Sequence, residues 1–419
     1  MARPFRVQTA AAATAATIGW LWFSSRRASV VNGMIAHTGT TTVQRDDVAL
    51  PTPYTQAAHP SSVLFDSIDI HGVPLQFAVR KFKHIRMLHD HLQREIHGYA
   101  ILKDAIRMAQ QQQQQRPPLV LDVGANHGLY SLFAAKLGAD VIAVEPQQNL
   151  CKLINRAAQE NNVADRITVY HNAALDEHDE TISMKHAKKM DGQLGTVVRE
   201  GERTNTTLRV EQLHAFRIQD FVAASSDGSN GKPQHDIAFL KIDVEGFELQ
   251  AAKGAAQLFT AKRIQNTLVE FGVSTTVVRY EQYTDPPSRW QIDAGVGPEL
   301  GLHLLQDMYE QYDTQPRLIE SFVWPDFLAS ISDDDARSRA EQQKMVPLTS
   351  HQDWKALIQA MDHSGKEAYL WFALDDNKKH SPNEFQTFQS NCGTDHNVKR
   401  IMIGEGRKVT RFGCAAARG

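Results

Sequence analysis

Leu119-Val120-Leu121-Asp122-Val123-Gly124-Ala125-Asn126-His127-Gly128 opens with apolar residues suited to a buried parallel strand and closes in a tight glycine turn. Leu129 to Leu137 then carries the pattern of an amphipathic helix. Strand, glycine turn and helix is the order in which an open α/β sheet offers backbone N–H groups and a helix N-terminus to a nucleotide-like ligand. The stretch predicts an α/β, Rossmann-like sheet with helices on both faces.

The turn narrows the ligand. Asn126 breaks the G-x-G-x-x-G pattern of dinucleotide folds, and no G-x-x-x-x-G-K-[ST] loop exists in the chain. Asp122 ends the strand just before the glycines, where a carboxylate repels a pyrophosphate and suits a cationic ligand. Val141-Ile142-Ala143-Val144-Glu145 reads as a second buried strand ending in an acid. A carboxylate there can grip both hydroxyls of a ribose, at about 1.5–3 kcal/mol per charge-assisted bond. A ribose without a pyrophosphate, beside a positive centre, describes S-adenosylmethionine. The plainer alternative is that Asp122 caps the turn and Glu145 caps the next helix.

Further strands follow. Ile167-Thr168-Val169-Tyr170 is a third, with Asn172-Ala173-Ala174-Leu175 placing an amide and small residues where an adenine ring would lie. Thr181 to Leu213 alternates between glycine breaks and predicts extra antiparallel strands. Ile237-Ala238-Phe239-Leu240-Lys241-Ile242 is a buried strand that delivers Asp243 and Glu245 to the C-terminal edge of the sheet, where ligands sit in doubly wound folds. Ile264 to Phe271 adds a strand that carries Glu270 to the same edge. Alternation puts Asp243 and Glu245 on one side if the chain stays extended.

These segments resemble the FkbM-type family of S-adenosylmethionine-dependent methyltransferases. The resemblance rests on Asp122-Val123-Gly124-Ala125-Asn126-His127-Gly128, Glu145-Pro146, Asn172 to Leu175, Lys241-Ile242-Asp243-Val244-Glu245-Gly246-Phe247-Glu248 and Val269-Glu270-Phe271, in the family's order and spacing. It covers about residues 95–275. It implies O-methylation of a hydroxyl on a sugar or other small metabolite, so the expected partner is a small-molecule or glycan acceptor. By the same resemblance Asp122, Gly124, Asn126, Gly128, Glu145 and Asn172 would bind the cofactor. Asp243, Glu245 and Glu270 are the candidate catalytic acids. A non-catalytic scaffold that keeps the cofactor fold is the alternative.

Around this core the chain divides into residues 1–29, 30–62, 63–375 and 376–419. The first part is charged only by arginines, with an apolar run from Val7 to Phe23, and competes between a membrane signal-anchor, which is favoured, a mitochondrial presequence and a cleaved signal peptide. The second reads as a linker, the third as the methyltransferase domain, and the last as a mobile basic tail. The glutamine run ending at Gln115 and Asp333-Asp334-Asp335 read as solvated loops. A net charge of −3 gives no electrostatic case for nucleic acid. Three cysteines make no disulfide framework, although Cys392 and Cys414 could pair in an oxidising compartment and Asn205 could carry a glycan in a secretory lumen. No cluster points to a metal.

Overall fold

The structure is a computed structural model that describes residues 50–112, 116–187, 196–197, 208–225, 236–272, 277–281, 288–292, 298–321, 323–364, 366–374, 399–403 and 407–412. Apolar alternation on either side of His71-Gly72 builds a hairpin of β1 (Leu64–Ile70) and β2 (Val73–Val79). Both turn residues have positive φ, 49° and 81°, as a tight two-residue hairpin turn requires. Helix α1 (Phe82–Gln112) follows, and the glutamine run expected as a loop is helical as far as Gln112. Gln110 Nε2 there donates to the Leu137 carbonyl at 2.9 Å.

The decisive stretch forms β3 (Leu119–Val123) and α2 (Leu129–Lys136), as its residues demand. Next come β4 (Asp140–Val144), α3 (Gln148–Glu160) and β5 (Ile167–Tyr170). A side sheet holds β6 (Ala173–Ala174), β7 (Glu180–Ala187), β8 (Thr196–Val197) and β9 (Leu208–Phe216) in the order β6-β9-β7-β8; β7, β8 and β9 are the expected antiparallel strands, and β6 joins β9 in parallel. Helix α4 (Ile218–Ser225) leads into β10 (Ile237–Ile242), then α5 (Glu248–Lys253), α6 (Ala256–Thr260) and β11 (Asn266–Phe271). β12 (Val277–Glu281) and β13 (Ser288–Ile292) pair only with each other among the described residues.

Helix α7 (Pro298–Gln306) passes into a π-helical turn over Asp307–Gln311. β14 (Thr314–Ile319) follows. After α8 (Trp324–Ser330), Asp333 Oδ1 accepts from the Ala336 amide at 3.0 Å. The acidic run is therefore the N-terminus of α9 (Asp334–Gln343) rather than a loop, because carboxylates there satisfy helical amides. β15 (Met345–Pro347), α10 (His351–Ser364) and β16 (Ala368–Leu374) complete the core. Ser350 caps α10: its Oγ accepts from the Asp353 amide at 3.2 Å, and Asp353 Oδ2 accepts in return from the Ser350 amide at 2.9 Å.

Among the described residues the main sheet has eight strands in the order β15-β14-β16-β11-β10-β3-β4-β5. From β11 to β5 neighbours run parallel; β16 is inserted antiparallel between β11 and β14. Chain order reverses between β3 and β10, which opens a crevice at their C-terminal ends. One apolar core joins α1, α2, α3 and the β1-β2 hairpin to one face, with Phe133, Phe77 and Leu132 fully buried. The other face packs α4 to α8 and α10 around Phe271, Leu304 and Leu357.

Two expected boundaries shift. Residues from 50 onward, assigned to the linker, lie on α3 and β5: the Tyr54 amide donates to Val169 O at 2.6 Å and Ala58 to Lys152 O at 2.9 Å. Within the stretch read as a mobile tail, β17 (Lys399–Ile403) and β18 (Arg407–Phe412) extend the hairpin sheet, β18 pairing parallel with β1. Cys151 is a buried free thiol. Cys392, Cys414, Asn205 and the arginine-flanked N-terminal segment lie outside the described residues. Among the described residues no helix is long and apolar enough to cross a membrane.

Gly124 shows how tightly the crevice is drawn. Its φ is +77°, and an added Cβ would sit 1.7 Å from the Asp243 carbonyl oxygen. Gly124→Ala is expected to lower stability by more than the roughly 1–2 kcal/mol of a left-handed alanine alone, read as a fall in the urea midpoint.

Candidate functional site

The crevice is organised by Lys241, the one charged side chain in a strand buried along its whole length. Its Nζ donates to Asp243 Oδ2 at 2.9 Å and to the Gly124 carbonyl at 3.1 Å, and lies 3.9 Å from Asp122 Oδ1. The Tyr130 ring centroid is 5.4 Å away. Burial disfavours the charged ammonium, but Asp243, Asp122 and Glu95 together outweigh it and raise the lysine pKa above its ordinary value. The cation that Asp122 serves is thus part of the protein. Asp122 is 1% exposed, its Oδ2 accepting from the Ser131 amide at 3.0 Å and the Ser131 hydroxyl at 2.6 Å, and it does not line the crevice. Gly128 is likewise internal: its left-handed backbone starts α2, and a Cβ there would meet Ile154 at 2.8 Å.

Glu145 ties the glycine turn to the end of β4. Its Oε2 accepts from the Asn126 amide at 2.8 Å and its Oε1 from the Gln147 amide at 2.7 Å. Asn126 takes φ +54°, a conformation its short polar side chain tolerates. Glu145 faces a cleft of about 670 Å³, open to solvent, whose walls include Asn172, Leu175, Met184 and Phe247. Each carboxylate oxygen offers two acceptor sites and the amides use one, so ribose hydroxyls can still be held. Small and apolar walls beyond it suit a flat base. Asn172 is at that end, with its Nδ2 donating to His214 O at 3.1 Å. The residues present fit an adenosine group.

A second cleft of about 680 Å³ lies under α1. Leu88, His91, Arg94 and Glu95 roof it, and Tyr99 and Tyr130, stacked at 4.1 Å, form a wall. Glu270 lines this cleft only, whereas Asn126, Asp243 and Glu245 line both. The three candidate acids therefore converge, although not by strand alternation. β10 ends at Ile242, and Glu245 turns left-handed at φ +54°. The loop is fixed by Glu248, whose Oε1 accepts from the amides of Val244 at 3.2 Å and Gly246 at 3.1 Å. No group that could hold a metal ion occurs among the described residues.

Several carboxyls are pushed toward their neutral forms. Burial raises Glu145 to about 8 against the opposing amides of Gln147 and Asn126, and raises Glu248 to about 8 against those of Gly246 and Val244. Burial takes Glu95 to about 7 despite Lys241, and holds Glu270 well above the usual carboxylate range, with Asp243 adding to the effect. His127 is pulled down to about 3 by burial and stays neutral. A raised carboxyl favours folding fully below its unfolded pKa and loses that contribution as pH climbs through the folded value. Thermal stability of the cofactor-free protein is thus expected to decline between about pH 4.5 and 8 on account of these groups. Glu248→Gln, which keeps an acceptor for both amides, should flatten the decline in melting scans across that range.

A direct check on Glu145 follows from its two duties. Glu145→Ala is expected to weaken S-adenosylmethionine binding tenfold or more, about 1.5–3 kcal/mol, and to lower the melting temperature by freeing two amides. An unchanged dissociation constant in calorimetric titration would remove Glu145 from the cofactor site.

Residues 122–306 match the family model described as Methyltransferase FkbM domain. A stretch of 81 residues is 36% identical to a probable protein arginine N-methyltransferase 3 from Arabidopsis thaliana, covering 19% of this chain and 12% of that protein. Among solved structures, a Geobacter sulfurreducens S-adenosylmethionine-dependent methyltransferase in complex with S-adenosyl-L-homocysteine is 12% identical. It matches over 66% of this chain and 88% of its own, at a TM-score of 0.28. Cofactor-bound Rv0187 from MTB is 10% identical over 66% and 79% of the two chains, at 0.29.

Proposed function

We propose that this chain, which belongs to the FkbM family of S-adenosylmethionine-dependent methyltransferases through residues 122–306, methylates a hydroxyl oxygen of a sugar or other small metabolite. One observation carries the reading: two clefts of different chemistry share the rim made by Asn126, Asp243 and Glu245. The first has the carboxylate and apolar walls that suit an adenosine group. The second, lined by Glu95, Glu270, Arg94 and tyrosines, suits a hydroxylated acceptor.

The cofactor supplies an electrophilic methyl group on a sulfonium. The protein's task is then to align the acceptor and to receive its proton. Asp243 is placed for this at the shared rim, with Lys241 Nζ donating to its Oδ2 at 2.9 Å. Glu270 is held neutral beside it, so one base and one acid stand together. Glu245 faces both clefts from a left-handed turn and can hold a second acceptor hydroxyl.

Asp243→Asn keeps the shape of the rim and a carbonyl for Lys241. It is expected to leave cofactor affinity intact and to slow methyl transfer about 10²–10⁴-fold in single-turnover kinetics. The acceptor is to be sought by comparing metabolites with and without the gene. Methyl label found on nitrogen or carbon rather than oxygen would overturn the reading, as would a rate within about threefold of wild type in the variant.

A further inference from the structure

Helix α1 begins on an exposed phenylalanine. Among the described residues two large apolar side chains are exposed, Leu50 at 46% and Phe82 at 76%. A lone apolar side chain in water is ordinary on a folded protein. Phe82 differs in its company. Arg80, Lys81, Lys83 and Arg86 make four basic residues in the seven from 80 to 86, and none of the seven is acidic. Arg80, Lys81 and Arg86 are exposed, and Lys83 is half-buried.

The helix fixes which way this group faces. His84, Met87, Leu88 and Leu92 are buried, at the spacing that turns one helical face to the core. Phe82 and Arg86 stand four residues apart on the face left to solvent, where side chains at that spacing are neighbours. The hairpin sheet brings further positive charge to the same end. β2 leaves the sheet at Val79, which pairs with Leu64 at the start of β1. β18 runs parallel to β1, with Ser67 opposite Val409, so it enters the sheet at that end through Arg407 and Lys408. Neither β17 nor β18 contains an acidic residue. Asp66, in β1, lies 2.7 Å from His89 Nε2.

An aromatic ring set among cations is the pattern of a segment that lies on an anionic lipid surface. The ring has an apolar boundary to enter, while ammonium and guanidinium groups stay with the headgroups. An anionic polymer would satisfy the cations and leave the ring in water, so the exposed ring favours lipid. The attraction is local, because the whole chain carries a net charge of −3.

We propose that Arg80, Lys81, Phe82, Lys83 and Arg86 form a docking surface for an anionic membrane, with the Phe82 ring entering the headgroup boundary. The roof of the second cleft begins at Leu88, six residues further on, about 9 Å along the helix axis. Docking therefore holds that cleft close to the lipid. The surface stands whatever reaction the two clefts perform.

Sedimentation of the full chain with vesicles tests this. Vesicles of phosphatidylcholine and phosphatidylserine should bind the protein more strongly than phosphatidylcholine alone, and added salt should weaken the binding. Phe82→Ser should cut the partition onto the mixed vesicles about tenfold, and Phe82→Trp should restore it. Arg86→Glu should cut it as well and make what remains less sensitive to salt. Phe82→Ser should melt with wild type, since the side chain it removes faces solvent, and the Phe82 pair decides the matter even if Arg86→Glu fails to fold. A partition unchanged by Phe82→Ser overturns the proposal, as does equal binding to phosphatidylcholine alone. Loss with Arg86→Glu but not with Phe82→Ser gives the cations to an anionic polymer and also overturns it.

Discussion

A single ammonium, that of Lys241, holds the two halves of the crevice together. It reaches a backbone carbonyl of the glycine turn and a carboxylate at the end of β10, with a second carboxylate behind it. Burying Asp122 without that cation would leave a charge in a low-dielectric interior, a cost of several kcal/mol. With it, the turn after β3 and the loop after β10 are fixed at a common distance. The rim between the clefts is thus an electrostatic consequence of one strand position. The tyrosine face above Lys241 adds to the arrangement.

The loops around the crevice use one device twice. Glu145 accepts two amides at the end of β4, and Glu248 accepts two after β10. In both places a carboxylate does for an irregular turn what a ladder does for a strand. Both pay in solvation, which is why both pKa values rise. The glycine turn and the loop after β10 are consequently stiff, and residues such as Asn126 and Glu245 can be kept left-handed without a glycine.

Much of this was legible in the sequence. Apolar runs ending in acids announce parallel strands with their carboxyls at one edge, and the sheet confirms that order from β3 to β11. Glu145, Asn126, Asp243, Glu245 and Glu270 reach the clefts because strand ends in a doubly wound sheet leave no other place for them. Asp122 misled because sequence cannot say whether a carboxylate faces a ligand or a buried lysine. The lone charge in the β10 run was the signal that could have settled it. Glu95 was hidden in a helical pattern of apolar residues. Tyr369 was out of reach altogether, since it meets Glu95 across a separation of 274 residues, and nothing local marks that contact.

The antiparallel strand β16 sits inside the sheet rather than at its margin. Asn266 to Phe271 pairs residue for residue with Ala368 to Ala373, and β16 in turn carries β14. The segment that resembles the family ends at residue 306, well before either strand. A polypeptide trimmed to that similarity would expose the hydrogen-bonding edge of β11, an apolar strand ready to recruit another chain. Similarity and strand pairing therefore have different borders here: the matched residues stop at 306, while the strand that covers the edge of β11 runs to Leu374.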